Sequence, residues 1–338
     1  MGKRFTMTYG KVLTTAALAA ALTIGAVLPA SAATLTEDNS YRIFGSDRYQ
    51  TSLEVSYEGW DDGEAETVVV ATGADFPDAL AATPLAGAYD APLLLTKRDA
   101  LPAGFVDELK RLGTKHIVLI GGTGAISEKV EKQLKDLKLD VERISGKTRY
   151  ETAVNIAEEV GVADVMYVAT GANFADSLSI SPAAGFYGDP ILLVPANGTV
   201  PAVVADYIEN NQPEWPIIVG GTGAVGPAVE QLFDVEPDRL SGKTRYETNQ
   251  AFNDYAREYE LLLNYDNVFI ATGTNYPDAL SGSAMAARYS APLVLTAKTP
   301  AEASKQQIKD YATPDSFYAI LGGEGALSTE TLKKLFAK

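Results

Sequence analysis

The chain has 338 residues, with 28 Lys+Arg against 44 Asp+Glu and a formal charge of −16. No cysteine and a single histidine, His116, exclude disulfides, thiolate metal sites, cysteine nucleophiles and His-rich metal clusters, and the acidic surplus argues against sequence-independent binding to nucleic acid, which needs a basic face. A hydrophobic content of 46% with 21% charged residues is that of a globular protein, long enough for two or three domains of ~100–200 residues each.

Residues 1–11 carry Lys3, Arg4 and Lys11 and no acid, and Val12 to Leu28 is apolar or small. Pro29-Ala30-Ser31-Ala32-Ala33 follows. This order reads as a secretory signal peptide over 1–32, cleaved after Ala32, with Ala33 as the near alternative. The other reading is a retained anchor, since about 17 apolar residues lie near the lower limit for a span. No later stretch is apolar and long enough to span a bilayer, and Lys334–Lys338 carries no hydrophobic tail. The expectation is a secreted protein with no membrane partner after cleavage.

Next come alternating strands and helices. Thr67–Ala71 is a β-branched run that predicts a buried strand. A small-residue helix is expected from Asp78 to about Tyr89, then a strand over Pro92–Thr96. Ala103–Leu112 predicts a helix stopped by Gly113 in a left-handed cap. His116–Ile120 is the third strand, Ser127–Leu137 a helix with a Ser N-cap, and Val141–Ser145 a further extended piece. Strand–helix alternation implies a parallel, Rossmann-like α/β sheet covered on both faces.

This unit occurs three times. Arg42-Ile-Phe-Gly45-Ser-Asp-Arg48-Tyr49-Gln-Thr51 returns at Arg143–Thr152 and at Arg239–Thr248. Ala71-Thr-Gly73-Ala-Asp-Phe-Pro-Asp78-Ala-Leu80 returns at Ala169–Leu178 and Ala271–Leu280. The Ala91-Pro92-Leu-Leu-Leu95 run returns at Asp189 and Ala291. Ile120-Gly121-Gly122-Thr-Gly124-Ala125 returns at Val219 and Leu321. A period near 100 residues suits tandem small domains, here 33–142, 143–238 and 239–338. Tyr41–Phe44 stands before the first unit, and the third lacks the matching piece at its end. Either residues 41–44 complete the third unit and close a ring, or each such strand belongs to the unit that follows it.

No catalytic constellation emerges. His116 opens an apolar strand and its counterparts are not histidine. Asp78, Asp176 and Asp278 recur, but the neighbouring carboxylate Asp75 becomes Asn173 and Asn275. A glycosidase pair, which needs two carboxylates, is therefore not kept; each recurring Asp reads as a helix N-cap. The glycine turns offer backbone N–H groups to an anion through Gly122, Gly124, Gly221, Gly223, Gly323 and Gly325, or simply allow a tight strand-to-helix turn. Thr51, Thr152 and Thr248 are expected to help cap the following helix. Arginine presents a planar fork suited to carboxylate or phosphate, and tyrosine adds a stacking face and a hydroxyl. Two readings of the arginine motif stand side by side. It forms three anion-recognition points, or its arginines pair with a neighbouring unit's Asp78, Asp176 or Asp278 and hold the units together.

The four motifs, in this order and three times over, resemble the type-2 cell wall-binding repeats of Gram-positive surface proteins. The resemblance covers the chain from about Tyr41 to the end. It implies three Rossmann-like or toprim-like modules packed about a pseudo-threefold axis, without cofactor, metal or catalytic residue. It further implies non-covalent attachment to the cell wall, through an anionic polysaccharide or peptidoglycan. By motif match the candidate ligand residues are Arg42, Arg48, Tyr49, Arg143, Arg149, Tyr150, Arg239, Arg245 and Tyr246. The alternative functions are a surface-layer subunit that assembles with its neighbours, or a hydrolase acting on wall sugars or phosphates.

Overall fold

The computed structural model describes residues 35–36, 39–311, 313 and 316–337. The signal peptide expected over 1–32 lies outside the described residues. In chain order the first set of elements is β1 (Ser40–Ile43), α1 (Arg48–Gly59), β2 (Thr67–Thr72), α2 (Thr83–Ala88), β3 (Leu93–Thr96), α3 (Phe105–Arg111), β4 (His116–Ile120) and α4 (Glu128–Asp136). The second is β5 (Asp140–Ile144), α5 (Arg149–Val160), β6 (Val165–Thr170), α6 (Ala175–Tyr187), β7 (Ile191–Val194), α7 (Ala202–Asn210) and β8 (Trp215–Val219). The third is β9 (Asp238–Leu240), α8 (Arg245–Glu258), β10 (Asn267–Thr272), α9 (Pro277–Arg288), β11 (Leu293–Thr296), α10 (Glu302–Tyr311), β12 (Phe317–Leu321) and α11 (Thr329–Leu335).

These strands make three four-stranded sheets, ordered β3-β2-β4-β5, β7-β6-β8-β9 and β1-β12-β10-β11. Every pairing is parallel. The central strands are buried on both faces, with Val68, Val69, Val70 and Ala71 fully covered. That is why they read as unbroken apolar runs rather than alternating ones. Of the two placements open to residues 41–44, the structure shows the one that completes the third unit. β1 lies beside β12, with Ile43 opposite Leu321, just as Ile144 of β5 lies opposite Ile120 of β4. Each motif arginine strand therefore completes the sheet of the preceding unit, and the chain's first described strand completes the last sheet.

The small-residue helices bring the units together. A Cβ on Gly185 would stand 2.7 Å from Ala287 Cβ and 2.8 Å from Thr83 Cγ2, and one on Gly87 would collide with the Gly185 carbonyl. Thr83 and Ser283 hydroxyls bond across at 3.1 Å. Helices α2, α6 and α9 thus touch pairwise, at distances set by small side chains at the contact, Gly87, Gly185, Ala287, Ser283 and Thr83. Two elements depart from expectation. The Asp78–Tyr89 helix is broken into a 3-10 turn at Ala79–Ala81 and α2, with Pro84 in the first turn of α2, whereas α6 runs unbroken through the equivalent Pro182. In the second unit, Gly226-Pro227 replaces the Ser-capped helix start, and a 3-10 helix over Pro227–Leu232 stands where α4 and α11 stand in the others.

Candidate functional site

The arginine motif begins at the end of an added strand and turns into a helix. Gly45, Gly146 and Gly242 sit where a Cβ would strike Gln50, Glu151 and Glu247. Their N–H groups donate to the hydroxyls of Thr51, Thr152 and Thr248 at 3.1, 3.0 and 3.1 Å. These threonines lie inside the helices and tie the turn to them. The N-caps are Asp47, Thr148 and Thr244, one turn earlier than expected. Asp78, Asp176 and Asp278 are not caps either. Asp78 makes no capping bond, and the other two lie within the first turns of α6 and α9.

The two arginines of the motif part company. Nη1 of Arg42, Arg143 and Arg239 donates to the carbonyls of Gly322, Gly121 and Gly220 at 2.7, 2.7 and 2.8 Å. Each also meets a carboxylate: Glu324 at 3.4 Å, Glu131 at 2.7 Å and Glu230 at 2.7 Å. These three fasten an added strand to the glycine turn beside it. Arg48, Arg149 and Arg245 open α1, α5 and α8, and each donates through Nη1 to the carbonyl of Gly73, Gly171 or Gly273 at 2.6 Å. Among the described residues no carboxylate lies within 4.0 Å of these second arginines.

Each second arginine rests on an aromatic ring of the preceding unit. Arg149 lies 6.0 Å from the Phe76 centroid, Arg245 lies 5.2 Å from Phe174, and Arg48 lies 5.6 Å from Tyr276. The Tyr276 hydroxyl bonds Arg48 at 3.1 Å. The three rings touch one another at centroid separations of 5.7, 5.3 and 5.8 Å. Sequence reasoning missed these rings as functional residues. Their signal was a large apolar side chain held in a loop at all three positions. Tyr49, Tyr150 and Tyr246 are half-buried over Gly73, Gly171 and Gly273, where a Cβ would run into each ring.

The recurring carboxylates complete the corner. A Cβ on Gly121 would stand 2.7 Å from Asp78 Oδ2, and one on Gly220 would stand 3.1 Å from Asp176 Oδ2. Gly322 faces Asp278 in the same way. Burial raises all three carboxyls above their usual range, Asp176 to about 6. The nearby charges of Arg149, Arg245 and Arg48, with the Thr152 and Thr51 hydroxyls beside Asp78 and Asp278, oppose this. The site is thus shared between units. Asp78 joins the Gly121 turn to Arg149, Asp176 joins the Gly220 turn to Arg245, and Asp278 joins the Gly322 turn to Arg48.

The turns themselves are not helix N-termini. Ala125 and Ile126 close back on the Gly122 carbonyl at 2.9 and 3.1 Å, and α4 starts only at Glu128 with acids in its first turn. The residues that need glycine are Gly121, Gly220 and Gly322, whose φ values are 99°, 122° and 98°. A Cβ on Gly122, Gly124, Gly223 or Gly325 would meet nothing within 4 Å, while one on Gly221 or Gly323 would lie beside Ser241 or Phe44.

Comparison with known proteins gives this architecture a place. The family model described as Cell wall binding domain 2 (CWB2) matches residues 42–131, 143–230 and 239–332. The chain belongs to the CWB2 family. The N-acetylmuramoyl-L-alanine amidase LytC of Bacillus subtilis is 31% identical over 303 residues, which is 89% of this chain and 59% of that protein. The Amidase enhancer of the same organism is 33% identical over 297 residues, 87% of this chain and 40% of that protein. Cwp8 from Clostridium difficile superposes with a TM-score of 0.78 at 26% identity, over 88% of this chain and 51% of Cwp8. Cwp6 from the same organism gives 0.74 at 28%, over 84% of this chain and 46% of Cwp6. The CWB2 chain described here therefore spans about half the length of these relatives.

Proposed function

We propose that the protein holds on to the Gram-positive cell wall without catalysis. Its ligand is an anionic wall polymer or peptidoglycan carboxylate, taken at three corners shared between successive CWB2 repeats. The family assignment and the similarity to wall-associated proteins support a wall partner. The observation that carries the chemistry is the contrast between the two arginine sets. Arg42, Arg143 and Arg239 spend their charge on glutamates. Arg48, Arg149 and Arg245 have no carboxylate in contact among the described residues and keep fork donors beyond Nη1, which engages one carbonyl in each and, in Arg48, the Tyr276 hydroxyl as well. A charge-assisted hydrogen bond contributes roughly 1.5–3 kcal/mol, so one corner is weak and three on one polymer gain by effective concentration.

The raised carboxyls add a sign. Asp176 beside Arg245 is neutral below about pH 6 and negative above it. An incoming anion meets a less compensated guanidinium at pH 5 than at pH 7.5, so retention on purified walls rises on acidification. Retention that is flat or falls between those values in a folded protein contradicts the assignment. A pull-down with walls before and after acid stripping of secondary polymers separates the two ligand sources. Loss on stripping identifies the accessory polymer, and retention identifies peptidoglycan.

A further inference from the structure

At one equivalent place, the first residue of β4, β8 and β12, the three repeats carry three different rings. In the first sheet it is His116, facing Asp140 at 3.2 Å and Glu142 at 3.8 Å. In the third it is Phe317, against Tyr41 at 5.2 Å. In the second it is Trp215, and here an aromatic cluster is built. Trp215 lies 5.9 Å from Tyr255 and 5.4 Å from Tyr259, and the two tyrosine rings are 4.4 Å apart. The Trp215 Nε1–H is shared between the Tyr255 hydroxyl at 2.8 Å and Asp238 Oδ2 at 2.9 Å, and the Tyr255 hydroxyl donates to that same carboxylate oxygen. One oxygen of an exposed carboxylate is thereby held by the two rings.

The cluster continues outward. Tyr259 is 48% exposed. The Tyr187 hydroxyl donates to the carbonyl of the next residue, Glu260, at 3.0 Å, and Tyr187 carries Phe186 at a centroid distance of 4.8 Å. Phe186 and Tyr187 are 40% and 49% exposed. The exposed Tyr259 ring, the half-buried Trp215 ring beside it and the Asp238 acceptor suit a flat ligand with an apolar face and a rim of hydroxyl donors. A pyranose ring is such a ligand. The surrounding charge selects further. Asp238 is itself acidic, and the one arginine of this helix end, Arg257, is drawn off onto Tyr265 and Tyr311 and the Asp310 carbonyl. An anionic sugar is repelled here, and a neutral or N-acetylated one is not.

We infer that Trp215, Tyr259 and Asp238 form a single additional site for a neutral pyranose glycan, separate from the arginine corners and present once per molecule. It does not rest on the wall-polymer reading, because it is tested with soluble sugars.

The chain has two tryptophans, and the other, Trp60, is 2% exposed beneath Arg288. Two indole N–H signals in a 15N spectrum, assigned with Trp215→Phe, report on the two places separately. Titration with the N-acetylglucosamine tetramer and with cellotetraose is expected to move the Trp215 signal saturably with at least one of them and leave Trp60 still. Polygalacturonate fragments are expected to leave both still. Tyr259→Leu should weaken the response at least about tenfold. Asp238→Asn, which keeps an acceptor for Trp215 and Tyr255 but turns a donor to solvent, should weaken it several-fold. The arginine triple variant should bind these sugars as the wild type does. A Trp215 signal unmoved by both neutral sugars at about 10 mM, a concentration that fills even millimolar sites, overturns the inference. So does sedimentation as a dimer that Tyr259→Leu dissociates, which would make the patch a contact between copies.

Discussion

At the scale of single residues the glycine turns give the sharpest test of what is structural. Gly121 has φ 99° and faces Asp78. Gly121→Ala forces a Cβ into a left-handed backbone and against a carboxylate, and is expected to lower stability in urea by about 1–3 kcal/mol. Gly124→Ala meets open space and is expected to change stability by less than about 0.5 kcal/mol. Equal losses in the two variants would contradict the assignment of roles. Asp189 offers a second test. It replaces the alanine of the other repeats, is 5% exposed, and among the described residues its Oδ2 has no partner. Burial, then the charge of Asp164, raises its carboxyl to about 8. In the unfolded chain it titrates near 3.9, so folding takes up a proton between those values and stability falls as pH rises from about 4 to 8. Asp189→Asn removes the penalty. Its melting temperature should exceed that of the wild type more at pH 8.5 than at pH 5, and a gap that narrows with rising pH would contradict this.

At the scale of elements, the added strands decide the architecture. Ile43 of β1 is buried at 2% exposure opposite Leu321 of the last sheet. Ile43→Ala should cost about 2–5 kcal/mol and should lower hydrogen-exchange protection in Phe317–Leu321 while Thr67–Thr72 stays protected. Loss confined to the first sheet would contradict the pairing. How far sequence reaches is visible in these same elements. The strands were legible because runs such as Val68-Val69-Val70-Ala71 are apolar throughout, which only a doubly covered sheet explains. The place of β1 was legible as one of two alternatives, because an unmatched end at each terminus leaves pairing partners to be found. The break before α2 is not legible in the sequence, since the equivalent Pro182 leaves α6 unbroken, and the 3-10 helix over Pro227–Leu232 starts at a Gly-Pro pair where the other repeats have Ser. The sharing of each corner between units was legible as one of two readings of the arginine motif, but the seat of Arg149 on Phe76 was not, because it arises only through the tertiary packing of the units. Periodicity reports on a segment's own faces and carries no information about which neighbour it meets.

At the scale of the whole molecule, three corners act on a chain whose net charge is −16. An acidic protein approaches a polyanion against long-range repulsion, which salt screens beyond about 10 Å at 0.1 M. The contacts proposed to hold it, at the arginine corners, are short-range and partly buried. Retention on walls should therefore hold steady or rise from very low salt to physiological salt, and a steep fall over that range would indicate a diffuse charged surface instead. The central claim is that Arg48, Arg149 and Arg245 together carry the attachment. Its most direct measurement is co-sedimentation of the protein with purified walls, comparing wild type, Arg48→Ala and the variant with all three arginines changed to Ala, each with an intact cooperative melt. The account predicts a modest loss for the single change and no retention for the triple one. A folded triple variant that still sediments with walls as the wild type does would contradict it.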